Sequence, residues 1–190
     1  METVDVISHL QRQIHTILVP FVPKSKRFAL LEFPDHVNIG DSAIWLGTLA
    51  YFRTYGMRPS FVCTTVTPRR EDLERALPEG PIFLQGGGNF GDLWPVFQKN
   101  REHILRAFPN RKIIQLPQNV HFNDPNALRV AAKSIADHPD FTLLVRDYQS
   151  FVLATDVFSR NVQMCPDTRS AVRSPARSSN ENSTMPGTGR

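Results

Sequence analysis

Apolar positions recur along the chain in two alternating rhythms. Residues 3–18 place Val6, Leu10, Ile14 and Ile17 at roughly helical spacing, predicting an amphipathic helix ended by Pro20 and Pro23. Beyond it, "RFALLEF", "PSFVCTT", "PIFLQ", "RKIIQLP", "FTLLVRD" and "NVQMCPD" read as strands, because short unbroken apolar runs suit strands buried on both faces. Between them lie helical stretches: "SAIWLGTLAYFRTYG", "REDLERAL", "LWPVFQKNREHILRAF", "PNALRVAAKSIADH" and "YQSFVLATDVF". Gly56 marks a C-cap, Pro78 and Pro109 stop two helices, and Asp124–Pro125 supply an N-cap and a first helical position. Strand–helix alternation with short connections implies right-handed crossovers. The expected fold is α/β: a doubly wound, Rossmann-like parallel sheet over residues 26–166, preceded by a helix and linker over 1–25.

The rhythm stops after Pro166. Residues 167–190 contain no aromatic, Leu or Ile and are rich in Ser, Arg, Pro and Gly. They read as a basic tail that cannot build a core, with the abrupt change favouring a truncated gene whose last codons are out of frame. For the rest, 190 residues with 41% hydrophobic content and 13 Phe suit one domain with a sizeable core. The charge of +4 is mild, and no Lys/Arg run interleaved with aromatics tracks a phosphate backbone, so nucleic acid is not an expected partner. Neither a signal peptide nor a run of ~20 apolar residues is present, pointing to a cytoplasmic protein without stable membrane insertion. Cys63 and Cys165 read as buried free thiols, and no Cys/His spacing suggests a metal.

Candidate chemistry gathers at the strand ends, where open α/β sheets bind ligands. The pattern Asn-x-Gly-Asp occurs twice, as "HVNIGDSAIWLG" and "GGGNFGDLW". Asn and Gly tolerate positive φ, and Asp is expected to N-cap the helix that follows. Such a turn clusters backbone N–H groups that can hold an anion or a sugar hydroxyl. The first copy contributes Asn38, Gly40 and Asp41; the second contributes Gly87, Gly88, Asn89 and Asp92. The loop "PQNVHFND" adds Gln118, Asn119 and His121, and Arg146 stands directly after "FTLLV". An arginine there presents a planar, permanent cation suited to a carboxylate or phosphate, or else a salt bridge to Asp147 or another loop acid. No P-loop pattern is present, and the glycine-rich loop is a weak signal for ordinary dinucleotide binding. Trp45 reads as core, and Trp94 as core or as a platform for a sugar ring.

In combination, "NIGDSAIWLG", "FLQGGGNFGDLW", "IIQLPQNVHF", "LLVRDYQS" and "QMCPD" resemble the polysaccharide pyruvyl transferase family over about residues 26–167. The resemblance implies transfer of the enolpyruvyl unit of phosphoenolpyruvate to a sugar hydroxyl, forming a pyruvate ketal on an exopolysaccharide or cell-wall glycan. It implies the N-terminal half of a two-domain fold like that of GT-B glycosyltransferases, with the second half supplying further basic groups, and no cofactor. A lipid-linked saccharide acceptor would bring the protein to the inner membrane surface. Under this reading Asp41 and Asp92 lie near acceptor hydroxyls, Arg146 meets an anionic donor group, and His121 makes a polar contact. Asn38, Gly40, Gly87, Gly88, Asn89, Gln118 and Asn119 bind substrate. An N-capping Asp has a lowered pKa, so both aspartates rank as positioning residues ahead of bases. The alternatives are a nucleotide-sugar glycosyltransferase of similar fold and a non-catalytic, partner-binding half-module.

Overall fold

The computed structural model describes residues 5–64, 68–158 and 161–171. A first helix, α1 (Val6–Leu18), leads to β1 (Ala29–Phe33) and α2 (Ile39–Arg53). Then follow β2 (Phe61–Thr64), α3 (Arg70–Ala76), β3 (Ile82–Leu84), β4 (Gly87–Gly91) and α4 (Pro95–Ala107). The chain continues through β5 (Ile113–His121), α5 (Pro125–Ala136), β6 (Phe141–Val145), α6 (Tyr148–Phe158) and β7 (Asn161–Met164).

The strands form one parallel sheet in the order β2-β1-β3-β5-β6-β7, with β4 paired to the second half of β5. Period-two alternation sends Ala29 and Leu31 into a core shared with α3, α4, α5 and α6. Phe28 and Leu30 point the other way, onto α1 and α2, where Phe28 packs 4.4 Å from Phe52 and 5.5 Å from Phe83. Helices on both faces make this a doubly wound Rossmann-like α/β fold. Ile14 and Leu18 fix α1 into the second core, so the N-terminal helix is part of the domain body.

Three features differ from the sequence expectation. First, β5 runs on to His121, through Pro117. The pairing register shifts between Gln115 and Gln118, and a bulge tolerates the missing N–H. Second, the glycine-rich segment after β3 is itself a strand. Gly91 has φ of 130°, and a Cβ there would run into the His121 carbonyl, so only glycine lets β4 approach β5. Third, the compositional change at residue 167 does not end the packed chain. Thr168–Ala171 form a 3-10 turn against α2, where the Thr168 backbone leaves no room for a Cβ on Gly47 and Thr168 Oγ1 lies 2.9 Å from Thr48 Oγ1. Residues 172–190, which hold the rest of the expected tail, lie outside the described residues.

Candidate functional site

The chain leaves β1 toward β2 on one side of the sheet and returns as β3 on the other. The strand order therefore reverses between β1 and β3, and the connections beyond their carboxyl ends diverge and open a crevice. A cleft of about 260 Å³ lies there, lined by His36 and Asn38 from the β1–α2 connection, Asp41 in the first turn of α2, Gly88 and Asn89 from β4, and Trp94 and Phe97 at the start of α4.

The first Asn-x-Gly-Asp wall is built from its own side chains. Asn38, not Asp41, caps α2: its Oδ1 accepts from Gly40 N at 2.9 Å. Asp41 sits in the first turn, favoured by the positive end of the helix dipole. Its Oδ2 accepts from Asn38 Nδ2 at 3.0 Å and lies 3.5 Å from His36 Nε2, while Oδ1 faces Gly87. Because Asn38 N donates to His36 Nδ1 at 3.3 Å, a neutral His36 carries its proton on Nε2, toward Asp41. Asp41 is thereby oriented but not enclosed, its side chain 26% exposed.

The second copy is used differently. Asp92 caps no helix of its own; α4 begins at Pro95, preceded by Trp94. Asp92 Oδ2 instead accepts from Asn123 N at 2.7 Å and Asp124 N at 2.6 Å, and these amides, Asp124's foremost, lower its pKa. It ties β4 to the β5–α5 connection and lies outside the lining of the cleft. His121 is beside it, at the end of β5 rather than in a loop, with Nε2 3.1 Å from Asn123 Oδ1. The two motifs therefore do not contribute matching aspartates to one crevice.

Gln118 is fully buried. Its Nε2 donates to Gln85 O at 3.0 Å and Asn89 Oδ1 at 2.9 Å, and its Oε1 accepts from Asn89 N at 3.1 Å, which leaves it shaping the floor rather than meeting a ligand. Asn119 is a bridge: Oδ1 accepts from Arg146 Nε at 2.6 Å, and Nδ2 donates to Asp147 Oδ2 at 2.5 Å. Asp147 is otherwise occupied by Ser150 N and Oγ at the start of α6.

Arg146 consequently pairs not with its neighbour Asp147 but with Asp167, Nη1 to Oδ2 at 2.5 Å. Its Nη2 approaches Gly88, 3.4 Å from where a Cβ would stand. Gly87 meets Asp41 and Gly88 meets Arg146, so a bare two-glycine stretch of backbone separates the carboxylate from the guanidinium. Both thiols are free, and burial pushes Cys63 up to about 11 and Cys165 up to about 12, removing them as nucleophiles near neutral pH.

Sequence reasoning passed over the support beneath this cleft. Arg101 of α4 is fully buried, its guanidinium 4.3 Å from the Phe90 ring centroid, and donates to Gln115, Gln98 and Asn89. A signal existed: Phe97, Arg101, Ile104, Leu105 and Phe108 share the inward face of α4, and a charge on such a face calls for partners.

Comparison with known proteins places this fold and cleft in a family. Residues 38–169 match the polysaccharide pyruvyl transferase family, and the chain belongs to it. It is 35% identical over 152 residues to "Putative pyruvyl transferase EpsO" of Bacillus subtilis, covering 79% of this chain and 46% of that protein. It is 34% identical over 150 residues to "Pyruvyl transferase 1" of Schizosaccharomyces pombe, covering 75% of this chain and 37% of that protein. The chain thus spans less than half the length of these relatives.

Proposed function

We propose that this chain carries one half of a transferase, the acceptor side together with one cation for the donor, that moves the enolpyruvyl unit of phosphoenolpyruvate onto a sugar of an exopolysaccharide or cell-wall glycan, forming a pyruvate ketal. The acceptor is a glycan or lipid-linked saccharide. The observation that carries the reading is the placement of Asp41 and Arg146 on either side of the Gly87–Gly88 backbone, at the switch point of the sheet. In the net reaction two sugar hydroxyl oxygens bond to C2 of phosphoenolpyruvate and phosphate leaves. One hydroxyl proton ends on C3, turning methylene into methyl, and the other departs with phosphate.

Each step has a candidate group. Asp41, steered by Asn38 and backed by His36, orients the attacking hydroxyl and takes its proton. The absence of side chains on Gly87 and Gly88 of β4 lets a hydroxyl or anionic oxygen approach the backbone there closely. Arg146 Nη2 offers a directed donor to the carboxylate or phosphate of the donor substrate. Its pairing with Asp167 makes it an aimed hydrogen-bond group rather than a large net field. Trp94, 58% exposed on the rim, gives a pyranose ring an apolar face to lie on.

Calorimetric titration of the purified chain separates this reading from a glycosyltransferase on a similar fold. Saturable binding of phosphoenolpyruvate, weakened about tenfold or more in Arg146→Gln, is expected. Saturation by a nucleotide-sugar with no response to phosphoenolpyruvate would reverse the assignment.

A further inference from the structure

Each nitrogen of the Arg101 guanidinium has one side-chain acceptor beneath the cleft. Nε donates to Gln115 Oε1 at 2.6 Å, Nη1 to Gln98 Oε1 at 2.8 Å, and Nη2 to Asn89 Oδ1 at 3.0 Å. Gln118 Nε2 donates to that same Asn89 oxygen at 2.9 Å, and Gln118 Oε1 accepts from Asn89 N. Two donors converging on one end of an amide decide its orientation, because the –NH₂ end could not accept from either. The oxygen of Asn89 therefore points into the protein. Its Nδ2 occupies the other branch, has no hydrogen-bond partner among the described residues, and belongs to a residue that lines the cleft beside Asp41 and Trp94.

Burying a guanidinium carries a large desolvation cost, which an apolar residue on the same face of α4 would avoid. Of its three acceptors, Gln98 and Gln115 are buried, whereas Asn89 is the one that reaches the cleft. We propose that Arg101 is a positioning residue: through Asn89 Oδ1 it holds Asn89 Nδ2 toward the cleft as a fixed donor for an oxygen of the acceptor sugar. The clamp itself is independent of the assigned reaction; only the identity of the ligand oxygen rests on the acceptor reading above.

The test uses the full chain and two variants. By ¹⁵N NMR the Asn89 side-chain amide of the unliganded protein should be as rigid as ordered backbone, with an order parameter near ~0.85, and should fall below about 0.6 in Arg101→Met. A mobile Asn89 in the wild type, or one equally ordered in Arg101→Met, overturns the clamp. Asn89→Asp keeps an acceptor for Arg101 and Gln118 but removes the donor, so it should melt close to the wild type while binding a panel of methyl pyranosides about tenfold or more weakly. Unchanged pyranoside affinity in Asn89→Asp overturns the donor role. Should Arg101→Met fail to fold, the wild-type amide order and Asn89→Asp decide the matter. A wild type that binds no pyranoside counts against the acceptor reading and the donor role together, while the clamp stands or falls on amide order.

Discussion

Three carboxylates show how placement sets what an acidic residue does. Asp41 is oriented by an amide and an imidazole and stays open to the cleft, so Asp41→Asn should weaken binding of a methyl pyranoside about tenfold while changing the melting temperature by only a few degrees, checked by titration and scanning calorimetry. Asp92 is a fastener. Its folded pKa is lowered, so its contribution to stability is present above its ordinary value of 3.8 and is lost as pH falls through the lowered one. Asp92→Ala should lower the melting temperature at neutral pH and leave phosphoenolpyruvate affinity unchanged. Glu32 behaves oppositely. It has φ of 68° in β1, is almost fully buried, and leaves Oε2 without a hydrogen-bond partner among the described residues while Oε1 accepts from Asn100 Nδ2 at 3.3 Å. Burial raises its pKa, against the pull of Arg101 and Asn100. The stability it contributes is full below its ordinary value of 4.5 and is lost as pH rises through the raised value. Denaturation midpoints measured above pH 4.5 should therefore decline with rising pH, and less steeply in Glu32→Gln.

At the level of elements, the helices and the apolar strands were legible because their burial is written in side-chain periodicity. The boundaries of α6 were readable residue by residue, and Asp124–Pro125 announced α5. β4 was not legible, since three of its five residues are glycine and its pairing depends on backbone approach to β5. Gly91→Ala should thus cost on the order of 1–3 kcal/mol in denaturant unfolding, from both the positive φ and the collision with His121. The same logic links α2 to Arg146. A Cβ at Gly47 would displace the Thr168 backbone, and with it Asp167, the partner of Arg146. Gly47→Ala should destabilise the fold and also alter the Arg146 Nε–H NMR signal, although residue 47 is not in the cleft. That coupling was hidden in a segment whose composition looked like tail.

Across the whole molecule, the order β2-β1-β3-β5-β6-β7 explains why the site lies where it does. The reversal between β1 and β3 brings the first Asn-x-Gly-Asp against the glycines of β4, so loops far apart in sequence face each other. Strand rhythm was enough to place candidate residues at the carboxyl edge, and the quoted motifs in combination raised the family resemblance. It could not divide them into Asp41, Asn38, Gly88 and Asn89 at the cleft, Arg146 and Asn119 on its flank, and Gln118 and Asp92 as structural support, because that division depends on which partner each amide and carboxylate finds. The central claim is that this edge binds a sugar and an anionic enol donor on opposite sides of Gly87–Gly88. Site-resolved ¹⁵N NMR, with phosphoenolpyruvate added first and a methyl pyranoside second, tests it most directly. Phosphoenolpyruvate should shift Gly88 and the Arg146 Nε–H, and the pyranoside should then shift the Asn89 side-chain amide and the Trp94 indole. Shifts confined to other surfaces, or a response to a nucleotide-sugar alone, would contradict the account.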